Sequence, residues 1–164
     1  MSHAIVPGSF DPMTLGHLSL IKRVAAEYDR VTVAVMINPD KEYLFNTEAR
    51  VAIAKATVEE LSNVDVIYDD GMLIDLYDKL GADAVCKGWR NPADLLYEKE
   101  MAEWNLEHNP RFVTNLLHAD AEYATLSSTE VREMIARGES LASVVHANAL
   151  PLIASALDSE GAVR

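Results

Sequence analysis

A chain of 164 residues, 49% apolar and 24% charged, carries enough material for one sizeable core in a single domain. Its net charge of −12 excludes a general nucleic-acid binder, because no broad cationic surface is available to neutralise phosphates; a local cationic pocket in an acidic shell would stand out by its scarcity. The lone cysteine, Cys86, excludes an internal disulfide framework, fits a reducing cytoplasm, and within Ala84-Val85-Cys86 reads as a small buried hydrophobe.

The N-terminus, Met1-Ser2-His3, lacks a basic start and a long apolar stretch, so no signal peptide is expected, and no apolar run reaches the length of a membrane span. Residues 4–6 read as a short strand ended by Pro7-Gly8. After a loop containing Asp11-Pro12, Gly16-His17 opens a helix with Leu18, Ile21, Val24 and Ala25 at helical spacing, ending near Tyr28-Asp29. Residues 31–37 are β-branched and apolar on both faces, which suits a parallel strand covered by helices. Asn46-Thr47 can cap a helix over 48–61. A third strand follows at 64–68, then a helix at 72–80 stopped by Gly81. The spacing predicts a fourth strand at 84–87, a helix at 93–107 and a fifth strand at 112–117. A helix at 127–136 carries a capping box, Ser127 with Glu130, and a last helix at 147–157 precedes a frayed tail at 158–164.

Five strand–helix alternations with short connections predict an α/β, doubly wound, Rossmann-like five-stranded parallel sheet with helices on both faces and C-terminal helices, as one domain over 1–164. In such sheets ligands bind beyond the carboxyl ends of the strands, where the strand order reverses. Unusual chemistry collects at those ends: Ser9, Thr14 and His17 after the first strand, Lys41 after the second, Lys87, Gly88 and Arg90 at the fourth, and Tyr123 to Thr129 after the fifth. Cations and helix starts in one crevice of an acidic protein point to a polyphosphate ligand. Neither a dinucleotide glycine fingerprint nor a Gly-Lys-Ser/Thr phosphate loop is present, so neither a typical NAD fold nor a P-loop NTPase is expected.

Thr14-Leu15-Gly16-His17 matches the T/H-x-G-H signature of nucleotidyltransferases. The wider run Pro7-Gly8-Ser9-Phe10-Asp11-Pro12 with Gly16-His17 resembles the bacterial phosphopantetheine adenylyltransferase family. Asn38-Pro39-Asp40-Lys41 resembles that family's Pro-x-Lys loop, and Phe45-Asn46-Thr47-Glu48-Ala49-Arg50 its following helix start. Lys87-Gly88-Trp89-Arg90 resembles its Arg-Gly-x-Arg loop, Ala93-Asp94 with Tyr97-Glu98 the segment after it, and Leu126-Ser127-Ser128-Thr129 with Val131-Arg132 its late Ser/Thr segment. Four blocks in order, each at a strand end, are far more specific than one T-x-G-H.

The resemblance implies transfer of the adenylyl group of ATP to 4′-phosphopantetheine with Mg²⁺, giving dephospho-coenzyme A and pyrophosphate. It also implies a homohexamer restrained by coenzyme A. His17 carries over as the transition-state stabiliser on the α-phosphate, and as an ATP contact together with Ser9, Phe10, Gly88, Trp89, Arg90, Glu98 and the segment Tyr123, Ala124, Thr125, Leu126, Ser127, Ser128 and Thr129. Ser9, Lys41, Leu73 and Lys87 carry over as acceptor contacts, the two lysines on its phosphate. Mg²⁺ is expected mainly on the triphosphate rather than in a protein cage. Asp11 is as readily a turn residue as a metal contact, and the cap explains Ser127 alone but not three hydroxyls in a row. Departures from the family are Lys87 for arginine, Ser9 for threonine, Leu15 for asparagine and Val6 for tyrosine. Lysine keeps the charge at position 87 but loses the planar fork. Two alternatives remain at this stage: another T/H-x-G-H enzyme with a different phosphorylated acceptor, or a nucleotide-binding module without turnover.

Overall fold

The computed structural model describes residues 1–159. Five strands, β1 (His3–Gly8), β2 (Arg30–Met36), β3 (Val64–Asp69), β4 (Ala84–Trp89) and β5 (Thr114–His118), form one parallel sheet in the order β3-β2-β1-β4-β5. Helices α1 (Leu15–Glu27), α2 (Thr47–Val58), α3 (Leu73–Leu80), α4 (Pro92–His108), α5 (Ser128–Ala136) and α6 (Leu150–Leu157) complete it. The alternation of side chains along the strands sorts the core. Ala4, Val6, Val31, Val33 and Val35 pack with Leu18, Ile21 and Val24 of α1 and Ala54 and Val58 of α2. Ile5, Ala34 and Val85 pack with Leu76 and Tyr77 of α3 and with Phe112. A third cluster joins Phe45 and Ile53 to Val131 of α5 and Ile153 and Ala156 of α6. It fastens the C-terminal helices beside the loop that follows β2.

The sheet positions the site through an unequal pairing. β1 stays in register with β2 as far as Gly8 against Val35, and β4 with β5 as far as Trp89 against His118. The two central strands pair with each other only at Ala4 against Ala84 and Ile5 against Val85. Beyond Ile5 they separate, and the crevice lies between their carboxyl ends, where the strand order reverses. The same separation admits Pro7 into a central strand, because its missing N–H and its ring fall where β4 has already turned away.

The element types agree with the sequence reading, and the differences have local causes. β1 runs two residues past the expected stop, through Pro7 and Gly8, for the reason just given. The first helix starts at Leu15, capped by Thr14. α2 is shorter than expected and ends at Val58. The fifth strand covers Thr114–His118 instead of 112–117, because Phe112 turns into the core and Val113 accepts a bond from Val85 N–H before regular pairing begins. The last helix divides into a 3-10 turn, Ala147–Ala149, and α6, with Pro151 in the first turn of α6. Ser127 caps α5 by accepting from Glu130 N–H, whereas the complete reciprocal capping box belongs to Thr14 and His17. Of the tail expected at 158–164, residues 160–164 lie outside the described residues.

Gly8 is required by a close approach. A Cβ there would lie 2.9 Å from Cζ of Phe10, a ring packed edge-on against His17 with centroids 5.0 Å apart. Gly8→Ala should therefore cost ~1–3 kcal/mol by overpacking, measured as a shift in the urea unfolding midpoint at unchanged slope.

Candidate active site

The crevice has a volume of about 620 Å³ and takes residues from the loops or helix starts that follow all five strands. The first wall is the loop from β1 to α1. Thr14 N–H donates to Nδ1 of His17 at 2.9 Å, and His17 N–H donates to Thr14 Oγ1 at 3.3 Å. An Nδ1 that accepts carries no proton, so the ring is the neutral tautomer with its hydrogen on Nε2. Desolvation, followed by the charge of Arg90, lowers the His17 pKa to about 4. His17 is thus a fixed hydrogen-bond donor at neutral pH and not a proton shuttle.

Phe10 precedes it with φ of 48°, a left-handed backbone that costs a non-glycine residue about 1–2 kcal/mol. The flanks hold it there. The Ser9 carbonyl accepts from Arg50 at 2.9 Å. The buried Asp11 carboxylate accepts from the N–H groups of Leu44 and Phe45 at 2.8 and 2.9 Å. Asp11 is therefore a clamp between two loops, with one backbone N–H on each carboxylate oxygen.

The remaining walls hold most of the cations. Lys41 Nζ donates to Ser9 Oγ at 3.0 Å. Lys87 lies 2.6 Å from a Glu98 oxygen, and Arg90 Nε donates to Asp94 at 3.1 Å. Arg23 lies 3.6 Å from Asp120, and Arg132 donates to the Asp11 carbonyl at 2.9 Å with its carboxylate at 3.9 Å. Of these five lining cations, Lys41 alone has no carboxylate within 4 Å among the described residues. An incoming anion meets a cation without a carboxylate partner only there; at the others it competes with a resident carboxylate for the same charge.

Helix starts supply the neutral donors. At α1, Leu15 N–H is taken by the Val144 carbonyl and His17 N–H by Thr14, which leaves Gly16 N–H without a partner among the described residues. At α5, Ser128 and Thr129 N–H both lack a partner among the described residues. The three hydroxyls have protein partners: Ser127 accepts from Glu130 N–H, Ser128 donates to the Pro12 carbonyl at 2.8 Å, and Thr129 accepts from Arg132. Ser127 and Thr129 only accept in these bonds and keep their O–H groups, so α5 offers an anion both hydroxyls and backbone N–H groups. Leu73 opens α3 with its N–H likewise unpartnered.

The structure brings Ser9, Phe10, His17, Lys41, Leu73, Lys87, Gly88, Trp89, Arg90, Glu98, Tyr123, Leu126, Ser127, Ser128 and Thr129 to the crevice wall; Ala124 and Thr125 do not line it. It adds Arg23 and Arg132, which the sequence reading did not place in the site. Spacing carried a usable signal for both: Gly16, Leu20 and Arg23 share one face of α1, and Arg132 stands one turn after Ser128 on α5. Trp89 stacks on His118 at 4.1 Å, closing the β4–β5 side.

The cytidylyltransferase-like family model matches residues 5–134, a span that reaches from within β1 to α5. A phosphopantetheine adenylyltransferase of Limosilactobacillus fermentum is 44% identical over 148 residues, 90% of this chain and 86% of that one. The chain belongs to the phosphopantetheine adenylyltransferase family. Another member, from Caldanaerobacter subterraneus subsp. tengcongensis, is 41% identical over 88% of this chain and 91% of its own length. A solved structure from Vibrio parahaemolyticus, described as a candidate nicotinate-nucleotide adenylyltransferase, superposes with a TM-score of 0.68 over 95% of this chain and 94% of that one. At 18% identity it shares the fold.

The neutral His17 has a pH consequence. Its unfolded pKa of 6.5 exceeds the folded value of about 4. Between the two the unfolded chain binds the extra proton, so this group lowers stability as pH falls from 6.5 towards 4 and has no effect above. Turnover should show no break near pH 6.5 that disappears in the His17→Gln variant; a pH–rate series on both proteins checks this.

Proposed function

We propose that the chain transfers the adenylyl group of ATP to 4′-phosphopantetheine, giving dephospho-coenzyme A and pyrophosphate. The observation that carries this reading is the close similarity to proteins named phosphopantetheine adenylyltransferase, 41–44% identical across nearly the full chain. An oxygen of the acceptor phosphate attacks the α-phosphorus of ATP. The new P–O bond forms as the bond to the bridging oxygen breaks, and pyrophosphate leaves with that electron pair. No side-chain nucleophile is required, so the work is positioning and charge stabilisation.

In this reading Lys41 anchors the acceptor phosphate, since it alone is not already matched by a carboxylate. Lys87 joins it by leaving Glu98. Arg90 and the open N–H groups of Ser128 and Thr129 take the triphosphate, and Nε2–H of His17 donates to a non-bridging α-phosphate oxygen as charge builds. Mg²⁺ would arrive on the triphosphate. Among the described residues no group of three His, Cys, Asp or Glu could hold a metal ion, and in this reading the ion belongs to the nucleotide substrate.

We further propose a homohexamer, cytoplasmic and restrained by coenzyme A. Tyr97, Met101 and Trp104 form an exposed stripe at helical spacing on α4, which buries only Asn105, and this supports self-association. The buried Cys86, its thiol pKa raised by burial, is compatible with a reducing compartment. Among the described residues no helix is long and apolar enough to cross a membrane. A sedimentation measurement that returns a monomer would remove the hexamer.

Pyrophosphate release from ATP should require phosphopantetheine and fail with nicotinate mononucleotide or glycerol 3-phosphate; release with either of these instead would overturn the reading. His17→Ala should lower kcat by ~10²–10³ with little change in ATP affinity. Lys41→Met should raise KM for phosphopantetheine by ~10–100-fold, the loss of a charged hydrogen bond, while KM for ATP changes less than about threefold on the same scale. Steady-state kinetics on the two variants separates these effects.

A further inference from the structure

Arg50, on α2, is 1% exposed, and no carboxylate lies within salt-bridge distance of it among the described residues. A buried cation left without a carboxylate is costly, so its surroundings must compensate. They do so with oxygens from separate stretches of chain. Nη1 donates to the Ser9 carbonyl after β1 at 2.9 Å and lies 3.4 Å from the Met36 carbonyl at the end of β2. Nε donates to the Phe45 carbonyl at 3.2 Å, and Nη2 to Thr47 Oγ1 at 3.3 Å. The guanidinium lies over the Tyr43 ring, 3.8 Å from its centroid. The Tyr43 hydroxyl in turn accepts from Asn38 N–H at 2.9 Å, across the turn that carries Lys41.

These contacts share one geometric consequence. The loop bearing Ser9 and Phe10 is held from below by Arg50 through the Ser9 carbonyl. The loop bearing Lys41 is held by the same guanidinium through Tyr43 and Phe45. Lys41 Nζ and Ser9 Oγ, the two atoms that meet at 3.0 Å on the crevice wall, are therefore both referenced to one buried group. We propose that Arg50 is a positioning residue for the transfer reaction: it sets the distance between the loop facing the nucleotide phosphate and the loop facing the acceptor phosphate. This rests on the adenylyl-transfer reading above. In-line transfer depends on that separation, and a displacement of about 1 Å between reacting groups can cost ~10²-fold in rate.

Arg50 and Tyr43 make different connections, which gives the test its resolution. Tyr43→Phe keeps the ring beneath the guanidinium and removes the hydroxyl that accepts from Asn38 N–H, so its main effect is to loosen the Lys41 turn. It should weaken phosphopantetheine binding by ~3–10-fold, the worth of one hydrogen bond, and leave ATP binding within twofold on the same scale. Arg50→Lys keeps the charge but cannot span the three carbonyls, and should lower kcat at saturation with both substrates by ~30-fold or more. The measurements are calorimetric titration of each substrate, saturating turnover, and far-UV circular dichroism to confirm folding. An Arg50→Lys protein that folds and turns over at the wild-type rate overturns the inference, as does a Tyr43→Phe protein in which both affinities move together or neither moves. Should Arg50→Lys fail to fold, Tyr43→Leu decides. That variant removes the platform, so a loss of at least ~10-fold in kcat supports the proposal and an unchanged kcat overturns it. Wild-type protein that binds ATP but not phosphopantetheine would instead sink the reaction reading.

Discussion

Everything at the site follows from the short contact between the two central strands. β1 and β4 share a parallel ladder at Ala4–Ala84 and Ile5–Val85 and then separate, while each keeps its outer neighbour in register to its end. Backbone groups released by the separation face an open crevice instead of a strand, and the loops above them are free to carry polar chemistry. The short overlap also explains why Pro7 can sit within β1 and a strained phenylalanine can follow it. Neither Pro7 nor Phe10 has to serve a second ladder.

Two kinds of fastening then keep the loops in place over that gap. Asp11 gives its carboxylate to the N–H groups of Leu44 and Phe45, and Arg50 gives its N–H groups to carbonyls of the same two loops. The anion collects donors and the cation collects acceptors, so the loop after β1 and the loop after β2 are stitched by complementary buried charges. His17 is held differently, by its own N-cap, and this local bond sets which ring nitrogen carries the proton.

Much of this was legible from residues alone. Two-sided apolar runs such as residues 31–35 identify covered parallel strands, and the carboxyl-end rule then collects Ser9, His17, Lys41, Lys87 and Arg90 into one place before any coordinate is known. What escaped was long-range pairing. Asp11 beside Pro12 looks like turn chemistry, since nothing local says that its partners are 33 and 34 residues away. Arg23 and Arg132 look like ordinary helix charges until α1 and α5 are set on the same side of the crevice. In the late Ser/Thr segment only Ser128 spends its O–H on the protein, at the Pro12 carbonyl, a partner 116 residues away; Ser127 and Thr129 accept and keep theirs. Element ends moved for similar reasons, as at Pro7, where a breaker is tolerated by the neighbour's absence and not by its own preference.

The lining charges carry one more consequence. Four of the five crevice cations already sit against carboxylates, inside a protein whose net charge is −12. Such a surface attracts little from a distance, and a small single anion such as phosphate finds an unmatched charge only at Lys41 and elsewhere competes with a resident carboxylate. A ligand with many oxygens on one frame can make several such replacements at once, each easing the next, because it has already lost its translational freedom. The crevice is therefore an ion exchanger and not an ion trap, selecting for the number and spacing of charges on its guest in preference to charge itself.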